Sequence, residues 1–250
     1  MPFTLHPIHN TPSDLTAWAN ILISANSTLP AHDFRSIYIS ALWPNPNSPE
    51  TRATAESQLQ ALLASLPPGS WVSKAVETAS DTPVGIAVWV RRAERVGADV
   101  RDGDGGDIRE VGGGSYSYAA AIEDSINNNN TPAQPLIAQI DSTTAAHRAS
   151  LNSRIPGKLL TLRSLAVTPA FQRRGVGSLL IREGTRYADS VGASITLDTT
   201  VDGEAVYARH GFVVDGRVEV GIVGVPGLCL VGMRRGPGEG GGGGVGLDST

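Results

Sequence analysis

The first quarter of the chain carries apolar residues at the three- and four-residue spacing of amphipathic helices, which predicts three helices. The first begins after Thr11, a capping residue followed by proline, and the third begins in the same way after Ser48. The second ends before Pro44, because proline cannot continue a helix. Their apolar stripes are Leu15, Trp18, Ala19 and Leu22, then Phe34, Ile37, Tyr38, Ala41 and Leu42, then Leu59, Leu62, Leu63 and Leu66.

Short runs rich in β-branched and aromatic residues predict strands between these helices and the end of the chain. The first run is expected at a sheet edge, and the second and third form an antiparallel hairpin. A helix over residues 178–190 lies between the fourth and fifth runs, and a short helix carrying Tyr207 follows the fifth. The runs are residues 3–5, 71–77, 84–90, 159–167, 194–198, 213–220 and 227–233.

Residues 91–156 interrupt this pattern with glycines, charges and a run of asparagines, and only a marginal helix is expected there, over residues 143–151. Such a segment has too little apolar surface to offset an ordering entropy of about 1 to 2 kcal/mol per residue. We therefore interpret residues 91–156 as a disordered insertion within a single domain of residues 1–235. Residues 236–250 are interpreted as a disordered glycine-rich tail.

Composition narrows the class of protein. With 250 residues and 40% hydrophobic content, the chain is long enough to bury a core. Its net charge of −4 gives no support for a nucleic-acid partner, and no apolar run approaches the ~20 residues that cross a bilayer. The lone Cys229 excludes an internal disulfide. No secretory signal is visible, so we expect a cytoplasmic protein, with the nucleus left open, and no membrane partner.

The candidate chemistry lies in a glycine loop between the fourth strand and the following helix. Backbone N–H groups at a loop that opens a helix point outward together and, with the helix dipole, favour a phosphate or pyrophosphate. Two adjacent arginines at a helix N-terminus also favour an anionic partner, because cations are otherwise unfavourable there. The loop residues are Gln172, Arg173, Arg174, Gly175, Val176, Gly177 and Ser178.

Three motifs in a fixed order resemble the GNAT family of N-acetyltransferases. They are Leu165-Ala166-Val167 followed by Pro169, the glycine loop, and Tyr207 four residues before Gly211-Phe212. The resemblance implies an α/β fold in three layers (α+β), with a mixed, mostly antiparallel central sheet and helices on both faces. It also implies acetyl-CoA as co-substrate, with no metal. The five histidines show no metal-ligand spacing.

The resemblance assigns acetyl-CoA to the fourth strand and the loop. In the family the strands at residues 159–167 and 195–200 splay apart, and their free backbone groups bind the pantetheine arm. Gln172, Arg173 and Arg174 are candidates for side-chain contacts, one of them to the 3′-phosphate. Glycine at 175 and 177 would allow close approach or special backbone angles. The implied binding residues are Leu165, Ala166, Val167, Gln172, Arg173, Arg174, Gly175, Val176, Gly177 and Ser178.

Catalysis is assigned to Tyr207, which the resemblance makes the acid that protonates the leaving thiolate. An unperturbed tyrosine has a pKa of ~10 and is protonated at neutral pH. A general base is not evident: where some relatives carry glutamate this chain has Arg163, and an arginine cannot deprotonate an ammonium group. Ser164 through water, Asp198, Glu77 and water alone remain candidates.

Two functions stay open. The first is direct acetyl transfer in a ternary complex to a small-molecule amine or a protein or peptide amine, by a monomer or homodimer. The second is a catalytically inactive acyl-CoA-binding regulatory module. A dinucleotide-binding unit is disfavoured, because Leu180 stands where its third glycine would be. Four aromatic residues are candidates either for an acceptor pocket or for ordinary core: Phe34, Tyr38, Trp43 and Trp89.

Overall fold

A computed structural model describes residues 2–27, 29, 34–92, 134–219 and 229–239. The glycine-rich tail from residue 240, the turn expected near residue 224 and most of the expected insertion lie outside these ranges. The strands are β1 (Phe3–Pro7), β2 (Trp71–Glu77), β3 (Thr82–Arg91), β4 (Leu159–Val167), β5 (Ser194–Thr200), β6 (Val213–Glu219) and β7 (Cys229–Arg235). The helices are α1 (Pro12–Ser27), α2 (Phe34–Leu42), α3 (Pro49–Ser65), α4 (Gln134–Ser153), α5 (Val176–Val191) and α6 (Glu204–Ala208).

The strands form one seven-stranded sheet in the order β1-β2-β3-β4-β5-β7-β6. Five of the neighbouring pairs are antiparallel, and β4 with β5 is parallel. The crossover between the two parallel strands contains α5, as a parallel connection requires. The predicted α/β fold with a mixed, mostly antiparallel sheet is therefore confirmed, as are the edge position of β1 and the β2–β3 hairpin.

Apolar clusters cover both faces of the sheet and make three layers. On one face, Trp18 of α1, Trp43 beside α2 and Leu59 of α3 pack together and are buried. The Trp43 indole N–H donates to Gln58 Oε1 over 2.7 Å, which satisfies both buried polar groups. On the other face, α5 packs on the sheet through Leu180 and its apolar neighbours. The stripes predicted for the first and third helices thus face a common core, and Leu42 of the second helix joins them.

Helix α5 approaches the sheet most closely at Gly184. A β-carbon built at Gly184 would lie 2.1 Å from Cζ2 of Trp89, whose ring is fully buried. No ordinary carbon contact is this short, so the ring or the helix would have to move. Glycine is required here for space and not for backbone conformation. Trp89 is a core residue rather than part of a pocket.

We expect Gly184→Ala to destabilise the fold by about 3 kcal/mol, because overpacking against a rigid ring outweighs the gain of up to about 1 kcal/mol in helix propensity. Urea unfolding followed by circular dichroism measures the change. Gly177→Ala in the same helix is the control, since its β-carbon would lie 3.9 Å from the nearest side chains. Equal stability of Gly184→Ala and wild type would contradict the close packing.

An ion pair joins the end of α5 to β7. Arg235 is 1% exposed and donates to both carboxylate oxygens of Asp189, at 2.8 and 2.9 Å. The backbone N–H of Gly238 donates to the same carboxylate at 2.8 Å. These bonds, led by that of Arg235, hold the pKa of Asp189 below its usual value. The buried guanidinium depends on this carboxylate for its charge balance.

We expect Asp189→Asn to lower the free energy of unfolding at pH 7 by about 2 kcal/mol, because Arg235 loses its counter-charge. Solvent at the partly exposed Asp189 screens the pair and keeps the loss from being larger. A carboxylate with a depressed folded-state pKa stabilises the fold above about pH 4 and loses that effect as the pH falls further. The difference between wild type and variant should therefore shrink below pH 4. Asp215→Asn, which removes the half-exposed pair with Arg154 at 3.2 Å, should cost less than about 0.5 kcal/mol.

Helix α4 corrects the interpretation of residues 91–156. The helix spans 20 residues, where only a marginal helix over residues 143–151 was expected, and it packs on the sheet through Ile137, Ile140 and Leu151. Leu151 fits tightly over Gly232, where a β-carbon would lie 2.5 Å from its Cδ1. The idea of a disordered insertion is wrong for this stretch, and residues 93–133 lie outside the described structure.

Candidate functional site

The two parallel strands diverge halfway along their length. Their pairing runs from Leu159 opposite Ser194 to Leu162 opposite Leu197, and then it ends. Beyond that point β4 pairs only with β3, and β5 pairs only with β7. The facing edges of the diverging ends therefore carry backbone groups that an extended ligand can meet as an added strand. The divergence is the one that the family resemblance implies.

A β-bulge in β4 turns Arg163 toward the divergence. Ser164 pairs with Val88 and Leu162 with Trp89, which leaves Arg163 without a partner on β3. In a regular strand, residues three apart lie on opposite faces of the sheet. Because of the bulge, Leu162 and Leu165 instead both pack on the α5 side of the sheet. Bulges commonly re-aim side chains beside functional sites. Here the bulge places Arg163 and Ser164 together on the wall of a cavity.

The glycine loop opens α5 next to the end of β4. Gly175 caps the helix with a φ of 87°, and Arg173 has a φ of 59°. The first hydrogen bond of the helix is donated by the Leu179 N–H to Gly175 O over 2.9 Å. The N–H groups of the residues just before Leu179 therefore have no partner within the helix. A β-carbon at Gly175 would meet nothing within 4 Å, so its backbone angle is what requires glycine. At Gly177 the φ is not positive, and close approach of a ligand remains the only predicted reason for glycine.

Several side chains of the loop contact other parts of the protein. Gln172 Nε2 donates to Val167 O over 3.1 Å. Arg174 pairs with Glu77 at 3.3 Å and lies 4.6 Å over the ring of Phe171. These contacts hold the loop against β4 and β2, and they occupy two of the side chains that were predicted to bind acetyl-CoA. Arg173 is exposed.

Ser178 contacts His210, one of the five histidines without metal-ligand spacing, which the sequence places at a helix end beside Gly211. Its Oγ lies 3.1 Å from Nε2 of His210, which follows the tyrosine helix. Burial, and after it the guanidiniums of Arg182, Arg209 and Arg235, lower the pKa of His210. The ring of His210 joins the loop to the segment after α6.

A cavity of about 290 Å³ lies where β4 and β5 diverge. Residues 162–166 and 198–200 form its floor. Tyr207 of α6 lies in the wall, and its ring packs edge-on against Phe212 at 5.9 Å. The side facing α1, α2 and α4 contains Leu22, Asn26, Tyr38, Ile39, Ile140, Asp141, Thr144 and Arg148.

The polar groups of the cavity form two clusters. Asp198, 5% exposed, lies 2.9 Å from His147 Nδ1 and 2.8 Å from Arg148 Nη2. The contact with Arg148 is an ion pair without hydrogen-bond geometry, since Asp198 Oδ2 has no hydrogen bond within the described residues. On the other side, the Tyr38 hydroxyl donates to Asp141 Oδ1 over 3.1 Å. Three of these groups belong to α4, which the sequence analysis did not expect at the site.

The predicted site residues divide into two groups. Tyr207, Leu165 and Ala166 line the cavity, together with the base candidates Ser164 and Asp198. Glu77 is absent from the lining and pairs with Arg174 instead. The remaining predicted residues lie in the loop or at its start, and they are Val167, Gln172, Arg173, Arg174, Gly175, Val176, Gly177 and Ser178.

Two features are absent from the described ranges, namely a cluster of side chains that could hold a metal ion and a helix that could cross a membrane. Within the described ranges, no group of three or more histidine, cysteine, aspartate or glutamate residues is arranged to hold a metal ion. None of the helices in those ranges has the length and apolar character needed to cross a bilayer.

Comparisons with known proteins agree on one family. A model described as "Acetyltransferase (GNAT) family" matches residues 36–212. Among curated proteins, the uncharacterized N-acetyltransferase YjhQ of Escherichia coli (strain K12) is 32% identical in an alignment 122 residues long, which covers 44% of this chain. The matched region spans 64% of that relative's length.

Solved structures share the fold. A Corynebacterium glutamicum structure described as histone acetyltransferase HPA2 and related acetyltransferase superposes with a TM-score of 0.52 and 19% identity, covering 95% of this chain and 97% of that one. A structure described as mosquito arylalkylamine N-acetyltransferase like 5b gives a TM-score of 0.55 with 12% identity, covering 93% of this chain and 99% of that one. At these identities the likeness concerns the fold alone.

Proposed function

Because the chain belongs to the GNAT family of acetyltransferases, we propose that it moves an acetyl group from acetyl-CoA to an amine by direct attack in a ternary complex. The observation that carries the proposal is the divergence of β4 from β5 beside a helix that opens at a left-handed glycine. A cavity containing Tyr207 adjoins the diverging strands. The proposed acetyl-CoA site, which we call the donor seat, and the cavity in which the transfer would take place therefore adjoin each other.

The residues of the divergence fit the shape and charge of acetyl-CoA. The first N–H groups of α5 point to an anion such as the pyrophosphate, and the open space beside Gly175 leaves room for it. The backbone of Leu165 to Val167, unpaired on the β5 side, would hold the pantetheine arm as a strand. Acetyl-CoA supplies the activated acetyl group when bound.

Tyr207 acts as the acid in this proposal. As the nitrogen–carbon bond forms and the carbon–sulfur bond breaks, the departing sulfur takes a proton, and a tyrosine hydroxyl in the cavity wall provides it. The proton that the attacking nitrogen loses as the amide forms then restores the tyrosine hydroxyl. The acceptor ammonium must lose a proton first. Ser164 through water and Asp198 line the same cavity, but Asp198 already balances His147 and Arg148, so we assign the base to water held by Ser164.

The experiment measures donor binding and turnover separately. Isothermal titration calorimetry follows acetyl-CoA binding, and a thiol reagent follows CoA release with a panel of small amines, amino acids and peptides. Binding together with amine-dependent release supports the transferase. Binding without release on any amine would contradict it and leave an acyl-CoA-binding module, and no binding would contradict the donor site itself.

A further inference from the structure

Arg163 is an unpartnered cation in the wall of the cavity. Its guanidinium makes no hydrogen bond or ion pair within the part of the chain that the structure describes, although the bulge directs it among charged groups of β5 and α4. Burial, and after it the charge of Arg148, lower the pKa of Arg163 to about 9. The group is still protonated at pH 7, so the cavity contains a guanidinium that no side chain of the described residues binds directly.

The neighbouring carboxylates are engaged elsewhere. Asp198 lies against His147 and Arg148, and Asp141 accepts the hydrogen bond of Tyr38. Both stabilise Arg163 only through space. The donors of the Arg163 guanidinium are therefore unused within the described part of the protein and line the cavity, where a ligand can accept their hydrogen bonds. A planar guanidinium binds a carboxylate through two parallel hydrogen bonds, which makes a carboxylate the best match.

We infer that the acceptor is a small amino acid or a close analogue, with a carboxylate bound by Arg163 and its amine directed to the diverging strands. The inference rests on the proposed acetyl transfer and specifies its substrate class. The cavity volume of about 290 Å³ is suited to a small molecule.

The test compares amino acids with their carboxamides, which keep the amine and lose the negative charge. With wild type, kcat/KM for the acid should exceed that for its amide by about 10-fold or more, the value of one charged hydrogen bond. Arg163→Gln should lower kcat/KM for the acid about 10-fold to 30-fold and bring the ratio near one, again by the loss of charged hydrogen bonds. Arg163→Lys should restore part of the preference, because it keeps the charge but not the planar fork.

Two controls keep the result interpretable. Arg154→Gln removes an exposed arginine that pairs with Asp215 outside the cavity, and it should leave both rates unchanged. The affinity for acetyl-CoA should be equal in wild type and Arg163→Gln. Because the substitution removes an unpaired charge, the variant should unfold at the same temperature as wild type or a higher one.

Binding is measured as well as turnover, so that a failure of the Arg163 inference can be distinguished from a failure of the proposed acetyl transfer. Calorimetry of acids and amides with the CoA-saturated protein reports the acceptor site even without catalysis. Preferential binding of acids that Arg163→Gln removes would support the inference, even if no amine were acetylated and the transferase proposal failed. Equal binding of acids and amides, no binding of either, or an unchanged preference in Arg163→Gln would overturn it, even with active enzyme.

Discussion

Replacing Gly175 with glutamate is expected to lower the affinity for acetyl-CoA at least about 100-fold, since two charged hydrogen bonds from the loop are worth about 3 kcal/mol. The φ of 87° at this position strains any residue with a β-carbon. The new carboxylate would also lie at the helix N-terminus, where it would occupy the seat of the pyrophosphate and repel it. Calorimetric titration with acetyl-CoA measures the loss.

Gly192 provides a matched control at the opposite end of the same helix. It caps the C-terminus with a φ of 65°, and a β-carbon there would also meet nothing within 4 Å. Gly192→Glu therefore imposes a similar backbone strain without touching the loop, and its affinity should equal that of wild type. If Gly175→Glu bound acetyl-CoA normally, or if both variants lost binding equally, the loop would not be the donor seat.

The second large effect is expected from Tyr207→Phe, which should lower kcat about 100-fold or more, the usual contribution of general acid catalysis. Phenylalanine keeps the edge-on packing against Phe212, so the fold and the affinity for acetyl-CoA should not change. Steady-state kinetics of CoA release measures kcat, and calorimetry measures the affinity.

Tyr187 is the control for the loss of a tyrosine hydroxyl. Its ring packs at 4.8 Å against Trp71, and it is not among the residues that line the cavity. Tyr187→Phe should turn over at the wild-type rate. A Tyr207→Phe variant with unchanged kcat would remove Tyr207 as the acid and leave solvent to protonate the thiolate.

The sequence was sufficient to predict the sheet and the position of the loop because their signals are local. Branched residues form the strands, and glycine at 175 and proline at 169 mark the turn between β4 and α5. Helix α4 has a weaker local signal. Its inward positions, residues 137, 140, 144, 147 and 151, follow helical spacing, but Thr144 and His147 are polar.

The polar positions of α4 are explained only by contacts distant in sequence. His147 is partly buried, and its Nδ1 lies 2.9 Å from Oδ1 of Asp198, 51 residues later in the sequence. No rule based on apolar periodicity detects such a position. The same holds for Arg163: the run at residues 159–167 is apolar on both faces, so the bulge that sets the direction of its side chain could not be inferred from alternation.

In these proposals, the residues that select the acetyl donor and those of α4 that help to select the acceptor lie in different parts of the chain. The proposed acetyl-CoA site comprises residues 165–178, whereas α4 lines the cavity with residues between 140 and 148. The helix rests on β7 at Gly232, away from the loop. If both proposals hold, exchanging this one helix would alter the range of acceptors and leave the acetyl donor the same. A chimaera with α4 from another family member should keep its affinity for acetyl-CoA and change only the amines that it accepts.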